Sequence, residues 1–385
     1  MVRVYAARCS RYEQVQQQLT ELLRLYENDQ PLCRSGERIV LKPNLLLAAR
    51  PDRAATTHPA LLEWTAKRVR EAGAEAVIAD SPGAGYPHNR GALRRTYEKC
   101  GLTAAADRSG ARLNWDLSYR TVSIPDARLI RRFEIITPVL EADAVYNLAK
   151  LKTHGFMAMT AAVKNCFGII PGLMKPGYHA KLQRRDHFAA MLLDLSHWLS
   201  PRLSILDAVV AMEGDGPNAG EPRQVGWLLA STSPLALDVV AGDMIGLRPQ
   251  HNPVLTEAKK RGWPPYGIEQ VELVGADIRD LRQPGFRLPA AHAGDSGFGR
   301  LAFFQSMARD VLSVRPEVNG SECVACGVCA EACPVDAIVM ESAQARIDKK
   351  SCIRCYCCHE LCPERAISLQ RSWTYRLIQR LAFSG

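Results

Sequence analysis

The chain has 385 residues, of which 47% are hydrophobic and 23% charged, and its formal net charge is +9. Such values exclude a disordered, collagen-like or coiled-coil chain, and the length predicts two or three domains. The charge excess is too modest to mark a nucleic-acid binder. The unusual number is thirteen cysteines, nine of them between Cys323 and Cys362. Thiols packed that densely in one stretch of a long chain point to metal rather than to disulfides.

The first residues, MVRVYAARCSRYEQVQQQL, lack the apolar run of roughly 7–15 residues that a secretion signal needs. No stretch of ~18 apolar residues predicts a membrane span. The expected setting is a reducing cytoplasm, where thiols stay free to bind metal.

From residue 36 to residue 310 the pattern alternates between strand-like and helix-like segments. Arg38–Leu41 reads as a strand that ends at Lys42-Pro43-Asn44. Ala60–Ala72 reads as a helix, with Leu61, Trp64 and Val69 on one stripe and Gly73 closing it. Ala76–Ala79 is the next strand, followed by Asp80-Ser81-Pro82-Gly83. Further strands are predicted at Ala144–Tyr146, Leu203–Leu206 and Val225–Ala230, and a helix at Leu235–Ile245. Strand, polar turn, helix, strand is the order of parallel βαβ units, whose ligands bind beyond the C-terminal ends of the strands. Asp207 is expected to end a strand, with a tight turn at Met212–Pro217 after it. Residues 286–315 read as a connection that ends in a short helix, Leu301–Val311.

The most distinctive polar stretch is Lys150-Leu151-Lys152-Thr153-His154, expected to follow the strand at Val145-Tyr146. Lys164-Asn165-Cys166-Phe167-Gly168 and Pro171-Gly172-Leu173-Met174-Lys175 come next. Lysines set among apolar residues near glycine-bearing turns suit a carboxylate or phosphate, with Asn165 and His154 adding directional hydrogen bonds. Lys42, Asn44, Lys152, Asn165 and Glu213 are the candidate substrate-binding residues. Lys164, His154 and His179 are the candidate proton donors. No Walker loop, dinucleotide fingerprint or nucleophile elbow is present. An additional organic cofactor is left open.

At the C-terminal end the chain repeats itself. Cys323-x2-Cys326-x2-Cys329-x3-Cys333-Pro334 returns 29 residues later as Cys352-x2-Cys355-x2-Cys358-x3-Cys362-Pro363. Zinc would call for paired C-x2-C units separated by a longer loop. Two full duplicate runs favour two [4Fe–4S] clusters instead. Over residues 318–370 the chain closely resembles bacterial two-cluster ferredoxins. The resemblance implies that Cys323, Cys326, Cys329 and Cys362 hold one cluster and that Cys352, Cys355, Cys358 and Cys333 hold the other. Cys357 falls outside the pattern and is expected to be a bystander thiol. Beyond the repeat, Trp373, Leu377 and Leu381 recur every four residues beside Arg376 and Arg380. They predict a basic amphipathic helix over 371–385.

Several segments of residues ~36–250 resemble the family designated domain of unknown function 362. They are Lys42-Pro43-Asn44, Thr57-His58-Pro59, Asp80–Gly83, Lys150–His154, Lys164–Gly168, Pro171-Gly172, Glu213-Gly214 with Gly216-Pro217, and Ala236-Leu237-Asp238. That resemblance implies an iron–sulfur protein handling electrons and implies no particular substrate. A fainter topological similarity links the first βα units to the nickel-dependent lactate racemase family.

The expected architecture is therefore an α/β domain over 1–310, a largely parallel sheet with flanking helices that is open to division into two subdomains. A small α+β two-cluster ferredoxin domain over 311–370 and the C-terminal helix follow it. The expected function is an iron–sulfur oxidoreductase. An electron donor such as a ferredoxin or a reductase would supply low-potential electrons. An anionic small molecule or second cofactor in the α/β domain would receive them, as in reduction of a conjugated double bond. Neither nucleic acid nor a membrane span is expected, and the oligomeric state is not fixed. Two other readings stay open at this point: a ferredoxin-like carrier whose α/β domain docks a partner enzyme, and a non-redox enzyme with structural clusters.

Overall fold

A computed structural model describes residues 1–83, 89–289 and 314–371. The predicted helices at 301–311 and 371–385 lie outside the described residues, apart from Arg371. Strands are numbered in chain order. β1 (Val2–Arg8), β2 (Arg38–Pro43), β3 (Glu75–Ile78) and β4 (Arg112–Leu113) come first, and β5 (Tyr119–Ser123) and β6 (Arg132–Ile136) form a separate antiparallel pair. β7 (Ala144–His154), β8 (Ala158–Thr160), β9 (Leu203–Glu213), β10 (Glu221–Ser231) and β11 (Val271–Val274) follow.

One nine-stranded sheet runs in the order β11-β1-β10-β9-β7-β2-β3-β4, with β8 folded back on β7. β9, β7, β2, β3 and β4 pair in parallel. β10 is antiparallel to both of its neighbours, β9 and β1. The sheet is therefore mixed, with its parallel part on the side that carries the polar motifs.

Helices cover both faces, which explains the uninterrupted apolar run of β2. Ile39 and Leu41 pack into one core with Leu61, Leu62, Ala66 and Val69. Val40, between them, packs into a second core with Phe133, Phe188 and Leu192. The helix Pro59–Glu71 starts where His58 caps it, its Nδ1 accepting from the Ala60 amide at 3.2 Å. Pro59 occupies its first turn and Gly73, at φ +82°, lies just past its end.

Two expectations need correction. β7 does not stop near Tyr146 but continues through the whole lysine motif to His154. Lys150, Lys152, Thr153 and His154 are all at most 1% exposed. Burying such groups is tolerable only when each is paired. Lys150 Nζ reaches Asp207 Oδ2 at 2.9 Å and Tyr12 Oη at 2.8 Å, and Lys152 Nζ reaches Asn44 Oδ1 at 2.9 Å and the Ala55 carbonyl at 2.6 Å. Asp207 likewise does not end its strand: β9 runs on to Glu213, and Asp207 sits in its middle.

The C-terminal module is built on β12 (Val314–Val318) paired with β15 (Ile367–Arg371), and on a hairpin of β13 (Ile338–Met340) and β14 (Ala345–Ile347). The sequence repeat is also a backbone repeat. Positive φ occurs at Ala325, Gly327 and Asp336, and again 29 residues on at Arg354, Tyr356 and Arg365. Left-handed backbone is rare outside glycine, and its recurrence at matched positions shows two loops bent to one shape.

Candidate functional site

The matched loops gather the cysteines into two sets. Cys323, Cys326, Cys329 and Cys362 line one pocket. Cys333, Cys352, Cys355 and Cys358 line another, with Cys357 on its wall. Each pocket thus takes three thiols from one run and the fourth from the other. The two crossing cysteines are held alike: Cys333 Sγ accepts from the Ala337 amide and Cys362 Sγ from the Ala366 amide, both at 3.2 Å. Among the described residues, no group of three His, Cys, Asp or Glu side chains is placed to hold a single metal ion. Burial, and after it crowding by neighbouring thiols, raises the Cys329 thiol to about 11 and pushes Cys358 well up. A thiol raised that far is a strong thiolate donor once metal replaces its proton.

The second feature is a cleft in the α/β domain that encloses a cavity of about 60 Å³. Because β7, β2 and β3 are parallel neighbours, the segments at their C-terminal ends converge there. β2 leads into Asn44 and Leu45, β3 into Asp80 and Ser81, and β7 brings Lys152. Lys164, Asn165, Lys175 and His179 come from the turns and short helices after β8. Of the candidates named from sequence, Asn44, Lys152, Lys164, Asn165 and His179 line this cleft. Lys42 lies directly behind it, fully buried and 3.0 Å from Asp80 Oδ1. A side-chain carbon at Gly168 would collide with both members of this pair, which is why the turn beside them carries none. Glu213 is turned elsewhere. Its carboxylate accepts from Arg287 Nε at 2.8 Å and from the Arg287 amide at 3.0 Å, and it does not line the cleft.

The hydrogen-bond geometry fixes several states. Asn165 Nδ2 donates to Asn147 Oδ1 at 2.8 Å, and Asn44 Nδ2 donates to Asn165 Oδ1 at 3.0 Å. His154 Nδ1 accepts from the Phe156 and Met157 amides, so its proton is on Nε2. Burial, aided by the Lys164 charge, lowers His154 to about 4. Burial lowers His179 to about 3, against the pull of Glu360. Both imidazoles are neutral at pH 7. Burial also lowers Lys164, and lowers Lys175 to about 7. The His179 Nδ1 and Thr160 Oγ1 atoms face this region buried and without a hydrogen-bond partner among the described residues.

One residue of the cleft comes from the cysteine module. Glu360, between Cys358 and Cys362, extends into the α/β domain and places Oε1 3.0 Å from His154 Nε2. Its carboxylate is 5% exposed. Burial opposes its ionisation, but His154 and Lys164 outweigh that and hold it below the ordinary carboxylate range. Flanking contacts fix the approach. His359 bridges the Ile367 and Asp215 carbonyls, and Asn218 Nδ2 donates to the Cys362 carbonyl at 2.9 Å. Tyr356 and Leu369 join the apolar core of the α/β domain. Sequence reasoning missed Glu360 and Thr160, and it named Asp80 and Lys175 only as members of longer polar segments.

A separate polar cluster joins β7 to β9. The Tyr12 hydroxyl donates to Asp207 Oδ1 at 3.0 Å, and its ring stacks on His58 at 3.5 Å between centroids. Burial lowers His58 to about 4. Its folded-state pKa therefore lies below the unfolded value near 6.5. The stability it contributes is complete above about pH 6.5 and is lost as the pH falls towards 4. At ~1.4 kcal/mol per pKa unit, the margin between wild type and His58→Asn should shrink by up to about 3 kcal/mol between pH 7 and pH 4. Asparagine keeps a capping acceptor. Denaturant unfolding at the two pH values tests this, and parallel pH profiles would refute it.

Paired thiol pockets on a duplicated loop, docked onto a mixed α/β domain, define an iron–sulfur protein. The chain belongs to the family named Domain of unknown function (DUF362), whose model matches residues 39–243, and a 4Fe-4S binding domain matches residues 316–339. It is similar to the thylakoid-associated protein sll1697 of Synechocystis sp., with 35% identity over 239 residues, 61% of this chain and 71% of that protein. Among solved structures, it is similar to the lactate racemase apoprotein from Thermoanaerobacterium thermosaccharolyticum, with 14% identity and a TM-score of 0.42. That match covers 64% of this chain and 57% of the other. A protein from Thermotoga maritima matches with 13% identity and a TM-score of 0.35, over 55% of this chain and 53% of that one. Among the described residues no helix is long and apolar enough to cross a membrane.

Proposed function

We propose that the protein is an iron–sulfur oxidoreductase that reduces an anionic small molecule held in the lysine-lined cleft, with electrons from a one-electron donor protein such as a ferredoxin or reductase. The observation that carries this reading is Glu360: a residue between two candidate cluster ligands forms part of the wall of the cleft. A module that served only as a separate carrier would have no need to complete a cavity in its neighbour. Cys323, Cys326, Cys329 and Cys362 are assigned to one [4Fe–4S] cluster and Cys333, Cys352, Cys355 and Cys358 to the second. The crossing pockets and the matched backbone support that assignment. When bound, such clusters supply one-electron transfer.

The α/β residues do the rest. Lys152 and Lys164 attract the anion, while Asn44 and Asn165, locked to each other, orient it. The unpartnered Thr160 hydroxyl and His179 Nδ1 are available to it. A neutral buried imidazole holds its remaining proton tightly, so His154 positions Glu360 rather than acting as an acid. Lys175, poised near neutrality, and Lys164 are the better proton donors. Reduction of a carbon–carbon double bond conjugated to a carboxylate would consume two electrons and two protons, and these lysines would deliver the protons.

Lys164→Ala should slow turnover roughly 100-fold or more and leave iron content unchanged. The assay follows oxidation of dithionite-reduced methyl viologen by a panel of α,β-unsaturated carboxylates. Retained turnover in the variant would remove Lys164 from the site.

A further inference from the structure

We infer that the two cysteine sets are unequal towards the cleft: the charges of Lys164 and Glu360 act on the set Cys333, Cys352, Cys355 and Cys358, and leave the other set unaffected. This rests on the two-cluster reading above.

The second run is the more deeply set along its helix, although each set holds both buried and partly buried thiols. Tyr356 through Cys362 are all buried. In the first run Cys326 is exposed, and Val324, on the wall of the same pocket, is 63% exposed. The short helix Cys357–Leu361 places Cys357 and Cys358 on the wall of the inner pocket and Glu360 on the wall of the cleft. Tyr356 lines the inner pocket and also packs in the α/β core. Lys164 and Glu360 line the same cleft. The outer set meets the α/β domain through the backbone carbonyl of Cys362. Both pockets are lined by residues of the module alone, and the inner one differs in sharing Tyr356 with the α/β core.

A charge in a low-dielectric wall acts strongly over short distances and weakly beyond them. Reduction adds one negative charge to a cluster. A nearby cation therefore favours reduction and a nearby anion opposes it. Removing Lys164 should lower the midpoint potential of the inner cluster, and removing the Glu360 charge should raise it. An anion entering the cleft acts in the same sense as the loss of Lys164, and makes the inner cluster a stronger reductant when a substrate is present.

The test is a potentiometric titration of the holoprotein followed by electron paramagnetic resonance, on wild type and on Lys164→Gln, Glu360→Gln and Val324→Lys. Two one-electron waves are expected in all four. Lys164→Gln should move one wave down and Glu360→Gln should move that same wave up. Val324→Lys, beside the outer set, should move the other wave up. If Lys164→Gln or Glu360→Gln moves the wave that Val324→Lys moves, moves both, or moves neither, the inference is overturned. A single wave in wild type, with half the expected iron, would instead defeat the two-cluster reading.

Discussion

Asp80→Asn is expected to destabilise the protein by about 3–5 kcal/mol, because it leaves the Lys42 ammonium buried without its counter-charge. Lys42 and Asp80 are 0% and 2% exposed at the side chain and 3.0 Å apart. Asparagine still offers an oxygen to the Leu45 amide, which Asp80 Oδ2 holds at 3.0 Å. The loss therefore isolates the charge rather than the hydrogen bond. Lys42→Met combined with Asp80→Asn should recover most of it, since an apolar chain of similar length then replaces the orphaned cation. Thermal unfolding of the three variants measures both steps. A double variant no more stable than Asp80→Asn would mean that the pair contributes through its shape rather than its charge. Asp80 lines the cleft and Lys42 lies directly behind it.

The second large effect concerns iron. Cys362→Ser should cost half of the bound iron, and it should be the same half that Cys323→Ser costs. Cys333→Ser and Cys352→Ser should cost the other half. Iron and sulfide analysis gives the amounts, and resonance spectra of the reduced proteins show which signal survives. Pairwise identity across the two runs is the signature of crossed ligation. If Cys362→Ser instead matched Cys352→Ser, each run would serve its own cluster. The two pockets would then need a different reading.

The cysteine pockets were legible in the sequence because ligand spacing is itself a geometric statement: residues three apart on a tight loop cannot avoid one another. The polar segments after β2 and β3 were legible for a related reason, as a parallel strand delivers its next residues to one edge of the sheet. The course of β7 was not. Lys150, Lys152 and His154 read as a polar segment beyond the strand until Asp207, Asn44 and Glu360 are known to meet them, and all three partners are distant in sequence. The same holds for Asp207 in the middle of β9, and for Val2–Arg8, an inner strand whose neighbours β10 and β11 come more than two hundred residues later. Glu360 was the hardest to foresee. Local pattern places it between two ligands, and only the docking of one module on the other turns it into part of the cleft.

The segment that bears Glu360 also bears Cys357, Cys358 and Cys362, all beneath the surface of the folded protein. During biosynthesis that makes order matter. On the two-cluster assignment proposed above, metal is expected to reach these thiols before the helix is buried. Cofactor loading and domain closure then become successive stages of one maturation route. A chain that buries the helix first is expected to take up less iron when metal is added afterwards.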